Sequence, residues 1–281
     1  MDEMLSDLIE RLGTTCATTT RVIPWSCPVP AFGNLGRSVV ATLGLNPSNR
    51  EFVDDAGVEL DGPRRRLHTL KSLELNRWSD ATADHLERID AACRNYFSRN
   101  PYNGWFSSLD AILSGAGCTY YGERANACHL DLIPYATECK WAELTSRQRS
   151  SLMLFASDAL AYLLRDAPVR VLLLNGRTVV ENLQNVAGVT FDRAEMRGWA
   201  LPRQCGGGVA GYAFRGTITR LAGIDLGRPI LVLGYNHNIQ SSFGVTAKVR
   251  SKIRRWFAAV TKGETLWDQL TEQTGSASET F

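Results

Sequence analysis

Long apolar runs are missing from this chain: no stretch approaches the roughly 20 residues that a membrane-spanning helix needs. Paired cysteines are missing too. The seven cysteines, Cys16, Cys27, Cys93, Cys118, Cys128, Cys139 and Cys205, are odd in number, scattered, and never spaced C-x-x-C. A disulfide framework and a zinc ribbon are therefore not expected, and the thiols read as reduced, in a cytoplasmic protein. Excess charge of one sign is also absent, since 31 basic and 29 acidic residues leave a net +2. That balance neither requires nor excludes nucleic acid, because a basic face can be offset by acidic segments elsewhere. Several chemistries lack their motif. There is no G-x-x-x-x-G-K-[ST] phosphate loop, no G-x-G-x-x-G between a strand and a helix, no H-E-x-x-H and no G-x-S-x-G elbow. His85-Leu86-Glu87 matches only the first half of the zinc deaminase signature, with no P-C-x-x-C to complete it. Nothing in the chain calls for a metal or another cofactor.

What is present fits an ordinary globular protein: 281 residues, 44% hydrophobic and 21% charged. No internal repeat or composition break divides it, so we expect one domain over residues 1–281. Its N-terminal helix would lie within 1–20 and a flexible tail would occupy 265–281. In "MDEMLSDLIERLG" the residues Met4, Leu5, Leu8, Ile9 and Leu12 recur at helical spacing in an acidic segment, which reads as a packed helix and not a secretory signal. "VIPWSCPVPAFGNLG", with three prolines, reads as an extended surface loop.

Four apolar runs read as buried strands: "SVVATLGL", "NACHLDLI", "VRVLLLN" and "RPILVLGY". Runs one, three and four are continuous, as strands covered on both faces are. The second is interrupted by His129 and Asp131. Between and after the runs lie helical patterns in "DATADHLERIDAACRNYF", "SSLMLFASDALAYLLRDA", "NGRTVVENLQNV" and "GVTAKVRSKIRRWFAAV". Alternating strands and helices predict an α/β fold, a three-layer α/β/α arrangement around a short, mainly parallel sheet of about four strands. "GGGVAGYAFRGTITRL" reads as a glycine-rich turn and hairpin before the last strand.

Open α/β sheets bind ligands beyond the carboxyl ends of their strands. Those ends here gather Asn46, Asp131, Asn175, Asn236, His237 and Asn238, together with Ser48, Ser241 and Ser242. The first follows a buried run in "GLNPS"; the last lie in "GYNHNIQSS". "GLNPS" after a buried strand resembles the first motif of the uracil-DNA glycosylase superfamily, in the branches that carry asparagine there. "GYNHNIQSS" resembles that superfamily's second motif, in which a histidine ends the last strand. Asn238 stands where a proline is common.

The resemblance implies a monofunctional DNA glycosylase, a hydrolase of N-glycosidic bonds that flips a base out of the stack and needs no cofactor. DNA is then the partner, no membrane is involved, and the chain acts as a monomer. Asn46 would orient the attacking water, because an amide is a poor general base, and His237 would donate to the leaving base. Asp131 stands where uracil readers have an asparagine. A carboxylate accepts well from the amine of cytosine and repels the corresponding carbonyl of uracil, so Asp131 points to cytosine or a modified cytosine. Phe52 is the expected aromatic wall, with Tyr135 second. Gly44 and Ser48 would leave room beside the ring. Ile239 or Gln240 would fill the hole in the duplex. Ser26, Ser48, Ser241 and Ser242 would contact phosphates, and "KVRSKIRR", with Lys248 and Arg250, would follow the backbone. No lysine occupies a motif position, which argues against strand cleavage through a Schiff base. Excising plain cytosine would harm the host; a hydroxymethylated or glucosylated cytosine in phage DNA would not, which suggests antiviral defence. Competing readings are uracil or mismatch repair, a catalytically silent nucleic-acid-binding module, and hydrolysis of free nucleosides. Plain structural roles compete too: Asn46 as a cap, Asp131 as a cap or an arginine's partner, and the basic run as a solvated helix face.

Overall fold

The computed structural model describes residues 2–13, 19–202, 208–240, 242 and 244–263. All four apolar runs are strands: β1 (Val40–Gly44), β2 (Ala127–Asp131), β3 (Val171–Asn175) and β6 (Ile224–Tyr235). They form the parallel part of one sheet, in the order β2-β1-β3-β6. Every residue of β1 and β2 is buried, and β3 buries Leu172, Leu173 and Leu174 completely. Each such leucine stabilises the fold by about 1.5–3 kcal/mol.

The sheet has six strands, two more than the apolar runs predict. β5 (Tyr212–Leu221) runs antiparallel to β6 and comes from the segment read as a hairpin. The turn between them is Ala222-Gly223, with φ of 49° and 79°, the tight geometry that matches strand twist. β4 (Asp192–Glu195) adds the antiparallel edge. Its sequence DRAE buries only Ala194, so no apolar run marks it, and its charges suit an edge strand.

Six helices of 11 or more residues surround the sheet within the described residues: α1 (Asp2–Leu12), α2 (Ala83–Arg94), α3 (Asn103–Leu113), α4 (Ser146–Asp166), α5 (Arg177–Ala187) and α6 (Ala247–Thr261). Capping fixes several starts. Thr145 accepts from the Gln148 amide at α4, and Thr246 accepts from the Val249 amide at α6, 3.2 and 3.3 Å. At α2 the ring of His85 accepts from the Thr82 amide, so this histidine is a capping residue. α3 falls outside the sequence-predicted helices. Pro101 and Gly104 disguise its start, yet Phe106, Leu109, Ile112 and Leu113 give it a buried stripe.

The sheet presents two faces. Gly234 of β6 lies against Val180 of α5, where an added Cβ would stand 3.1 Å from the valine methyl. The opposite face carries Thr42, His129 and Tyr235, and α3 lies over it, with the Phe106 ring 5.3 Å from that of His129. α1 is fastened to the body by Arg11, which grips Asp158 of α4 through two bonds of 2.7 and 2.8 Å. Among the described residues no helix is long and apolar enough to cross a membrane, and the five described cysteines are free thiols.

Candidate functional site

Strand register builds the site. In the β1–β2 ladder Thr42 lies beside His129, and Gly44 beside Asp131. Residues two apart on a strand share a face, so all four positions look toward α3. At the last rung Gly44 leaves a gap. A Cβ there would collide with Asp131 Oδ1 and stand 3.0 Å from His129 Nε2. Beyond Gly44 the chain turns at Asn46-Pro47 into a short 3-10 turn, Asn49–Glu51, capped by Ser48, whose hydroxyl accepts from the Arg50 amide at 3.2 Å. That turn brings Glu51 back to the space above the strand ends. The space is a cavity of about 610 Å³, reached by Asn46, Glu51, His129 and Asp131 and walled by Phe32, Tyr102, Trp105 and Phe106.

Each polar group has defined neighbours. The Asn46 amide nitrogen donates to the Thr137 hydroxyl at 2.9 Å and to the Pro47 and Tyr135 carbonyls at 3.2 and 3.4 Å. Its nitrogen is thereby committed to the protein. Among the described residues nothing donates to its Oδ1, which is the atom that can accept from water.

His129 is held by a buried chain. The Tyr120 hydroxyl contacts Thr42 Oγ1, which lies 2.7 Å from His129 Nδ1. Burial pushes Tyr120 well above its ordinary pKa, so it keeps its proton. In the tautomer whose Nδ1 accepts from Thr42, the imidazole proton sits on Nε2. His129 Nε2 lies 3.5 Å from Asp131 Oδ1, and both side chains are 3% exposed. An imidazole and a carboxyl group thus stand side by side at the cavity wall.

Glu51 is the third buried group. Its Oε2 accepts from the Tyr96 hydroxyl at 2.6 Å, and Tyr96 accepts from the Tyr102 amide at 2.9 Å. Burial raises the Glu51 carboxyl to about 7, against the opposing pull of the Tyr96 hydrogen bond and of Arg66. Asp131 adds a smaller push in the same direction as burial. Around the whole cavity five carboxylates face two cations, Arg50 and Lys140, so the lining is predominantly acidic. A second cavity of about 280 Å³ shares the Gly44–Asn49 loop and Trp105 and adds Trp141, Asn175 and Asn238. Gly176, at φ 103°, lets the β3 and β6 loops approach there; a Cβ would sit 3.3 Å from that of Asn238.

Of the residues singled out in the sequence, the main cavity collects Gly44, Asn46, Ser48 and Asp131. Others lie elsewhere. Phe52 is 1% exposed and packs edge-on against Trp25, so it is core and not the aromatic wall. Tyr135 is also core: its hydroxyl donates to the Leu8 carbonyl at 2.8 Å, while its own carbonyl accepts from Asn46. His237 is buried, and its Nε2 donates to the Trp199 carbonyl at 2.8 Å. Burial lowers its pKa, so the ring is neutral, the other nitrogen is an acceptor, and no donor remains for a leaving base. Ile239 is 4% exposed within the core and does not project as a plug. Gln240 is spent as well, accepting from Asn175 at 2.7 Å and donating to the Trp105 carbonyl at 3.1 Å. Ser26 is buried and donates to the Ile23 carbonyl, which removes it from any phosphate. The Ser242 amide closes a turn onto Asn238. Ser241 lies outside the described residues. Lys248 is exposed and Arg250 half-buried on α6.

Sequence alone does not single out Glu51, His129 or the walls formed by Trp105 and Tyr102. His129 left a signal: two polar residues spaced i, i+2 in an apolar strand share one face. Glu51 left none, because its burial depends on Tyr96, 45 residues away. Among the described residues no three His, Cys, Asp or Glu side chains are grouped to hold a metal. No protein-family model matches the chain, and no curated protein matches it.

Proposed function

We propose that the chain is a monofunctional DNA glycosylase that hydrolyses the bond between a cytosine-type base and its sugar and leaves an abasic site. The observation that carries this reading is the locked Asn46 amide, whose oxygen has no donor among the described residues, in the cavity that also holds the His129–Asp131 pair. A flipped pyrimidine needs three things: a flat wall, a partner for its edge and a placed water. Trp105 and Tyr102 supply the wall. Asp131 accepts from the amine at position 4, and His129 Nε2 donates to the ring nitrogen at position 3. His129 thereby removes the need for a proton on the Asp131 carboxyl, and it takes the stabilising role that His237 cannot fill. An acidic lining favours an amine-bearing edge over an edge made only of carbonyls. The cavity exceeds what a bare pyrimidine fills, which favours a base with a bulky substituent, such as a hydroxymethylated or glucosylated cytosine in phage DNA. A defence role follows from that substrate.

The test is a panel of labelled duplexes and single strands carrying uracil, thymine mismatches, cytosine and modified cytosines, scored for alkali-labile abasic sites. Release of a modified cytosine in preference to uracil is the expected result. Release of uracil alone would transfer the reading to repair. Binding without release from any substrate would leave a nucleic-acid-binding module.

A further inference from the structure

We propose that Glu51 is the general base that takes the proton from the attacking water, a role that rests on the base-excision reading above. Asn46 can hold a water but cannot deprotonate it. Two buried carboxylates reach the main cavity, and one of them, Asp131, is assigned to the base edge in the reading above. Glu51 is the other. The 3-10 turn places it on the same loop as Asn46, five residues on, with both side chains at the same cavity. Only its Oε2 is engaged by Tyr96; among the described residues Oε1 accepts from no donor. Tyr96 is itself fixed by the Tyr102 amide, so the carboxyl is held in orientation without being capped at both oxygens.

The reaction balances without a further reagent. The water oxygen bonds to C1′ of the sugar as the C1′–base bond breaks. The electrons of that bond leave with the base, which takes a proton from solvent. The proton lost by the water passes to Glu51 Oε1 and then returns to solvent. A base works best when its pKa lies near the working pH. The surroundings of Glu51 arrange this: burial raises it to about 7 and Asp131 adds to the rise, while Tyr96 and Arg66 limit it. Arg50 and Lys140 are the cations on the cavity lining. Arg66 is kept near by its bond to the Arg50 carbonyl, 2.7 Å, and its stacking over the Tyr102 ring, 5.4 Å.

The experiment uses the full chain. Single-turnover base release is measured from pH 5 to 9 on the best duplex of the panel, for the wild type and Glu51→Gln, with DNA affinity measured alongside. The wild-type rate should rise about tenfold per pH unit up to about 7 and then level. Glu51→Gln should bind DNA normally, lose roughly a hundredfold in rate and lose the inflection. A Glu51→Gln rate within threefold of wild type, or a wild-type profile flat across this range, overturns the proposal. If the variant does not fold, the wild-type profile decides. Titration of the Glu51 carboxyl carbon by NMR in the DNA-free protein separates the two levels of the argument. If the carboxyl titrates near 7 but no duplex releases a base, the glycosylase reading has failed, and the base role with it. If bases are released while the carboxyl titrates near 4, only the Glu51 role has failed.

Discussion

The ends of β1 and β6 look alike in sequence and differ in structure. Each finishes an apolar run with a glycine and then a cluster of polar residues, "GLNPSN" in one and "GYNHNIQ" in the other. After β1 the polar groups face a cavity, and the protein fixes them so that one atom of each is left over. Asn46 Oδ1 and Glu51 Oε1 are disposed in this way, and the His129–Asp131 pair of neighbouring β2 reaches the same cavity. After β6 the polar groups are consumed. His237 holds Trp199, Asn236 bonds to Tyr212 and Ala210, and Gln240 bridges Asn175 and Trp105. A buried polar group stabilises the fold when it is satisfied, and it can act on a ligand only where it is left partly unsatisfied. On the proposed function, the β6 loop is therefore the brace and the β1 loop the working edge.

Asn46→Ala is the largest expected break in that contrast. It removes the oxygen proposed to place the water while leaving the aromatic walls intact. Base release should fall by roughly a hundredfold or more with DNA affinity retained. A single-turnover assay at saturating enzyme reads this directly, and an unchanged rate would show that Asn46 is only a turn residue.

Glu51 gives the next largest effect, and it is read without any substrate. Its carboxyl rises from 4.5 to about 7 on folding because burial disfavours the charged form. The folded state then holds a proton that the unfolded chain has lost, so stability falls as pH rises from about 4.5 to 7. Above that window the loss amounts to about 3 kcal/mol. Glu51→Gln keeps an acceptor for Tyr96 and removes the charge. Denaturant titrations should show the variant more stable than wild type at pH 8, with the advantage gone near pH 4. An equal difference at both pH values would mean that Glu51 does not titrate between them.

These two residues also mark what could be read in advance. The parallel core was legible because β1, β3 and the end of β6 are apolar runs that can only be buried. The candidate loop was legible because Asn-Pro-Ser directly after such a run must sit at a strand end. The rest depended on long-range packing. Nothing local separates Glu51 from any surface glutamate until Tyr96 and the segment around Arg66 close over it. Phe52 and Trp105 are both loop-adjacent aromatics in sequence, and only the fold decides that the first is core and the second lines the cavity. His129 and Asp131 weakened the reading of β2 as a strand, yet they are the reason that strand matters.

Asp131→Asn sharpens the comparison within the working edge. The amide adds a donor where the carboxylate only accepts, so it should weaken action on cytosine-type bases and admit uracil. A paired contact discriminates by about 1–3 kcal/mol, so the preference should shift roughly tenfold to a hundredfold. The measurement is the ratio of release rates on matched duplexes differing in one base. An unchanged ratio would remove Asp131 from base recognition.

His237→Ala is the smallest effect on chemistry and the most direct test of the brace. The imidazole donates to the Trp199 carbonyl from a buried position, and Trp199 packs edge-on against Trp256 of α6. Deleting the ring leaves that carbonyl unpaired, at a cost of about 1–3 kcal/mol in stability. Because burial lowers the pKa of His237, the folded state resists a proton that the unfolded chain accepts. Wild-type stability should thus decline as pH falls below the ordinary histidine value near 6.5, and this part of the decline should vanish in the variant. At a temperature where both proteins stay folded, base release should differ by less than about threefold, because no atom of His237 is proposed to touch the base. A rate loss of a hundredfold with stability unchanged would reverse the assignment: the β6 loop would be the working edge, and His237 would have to leave Trp199 when DNA binds.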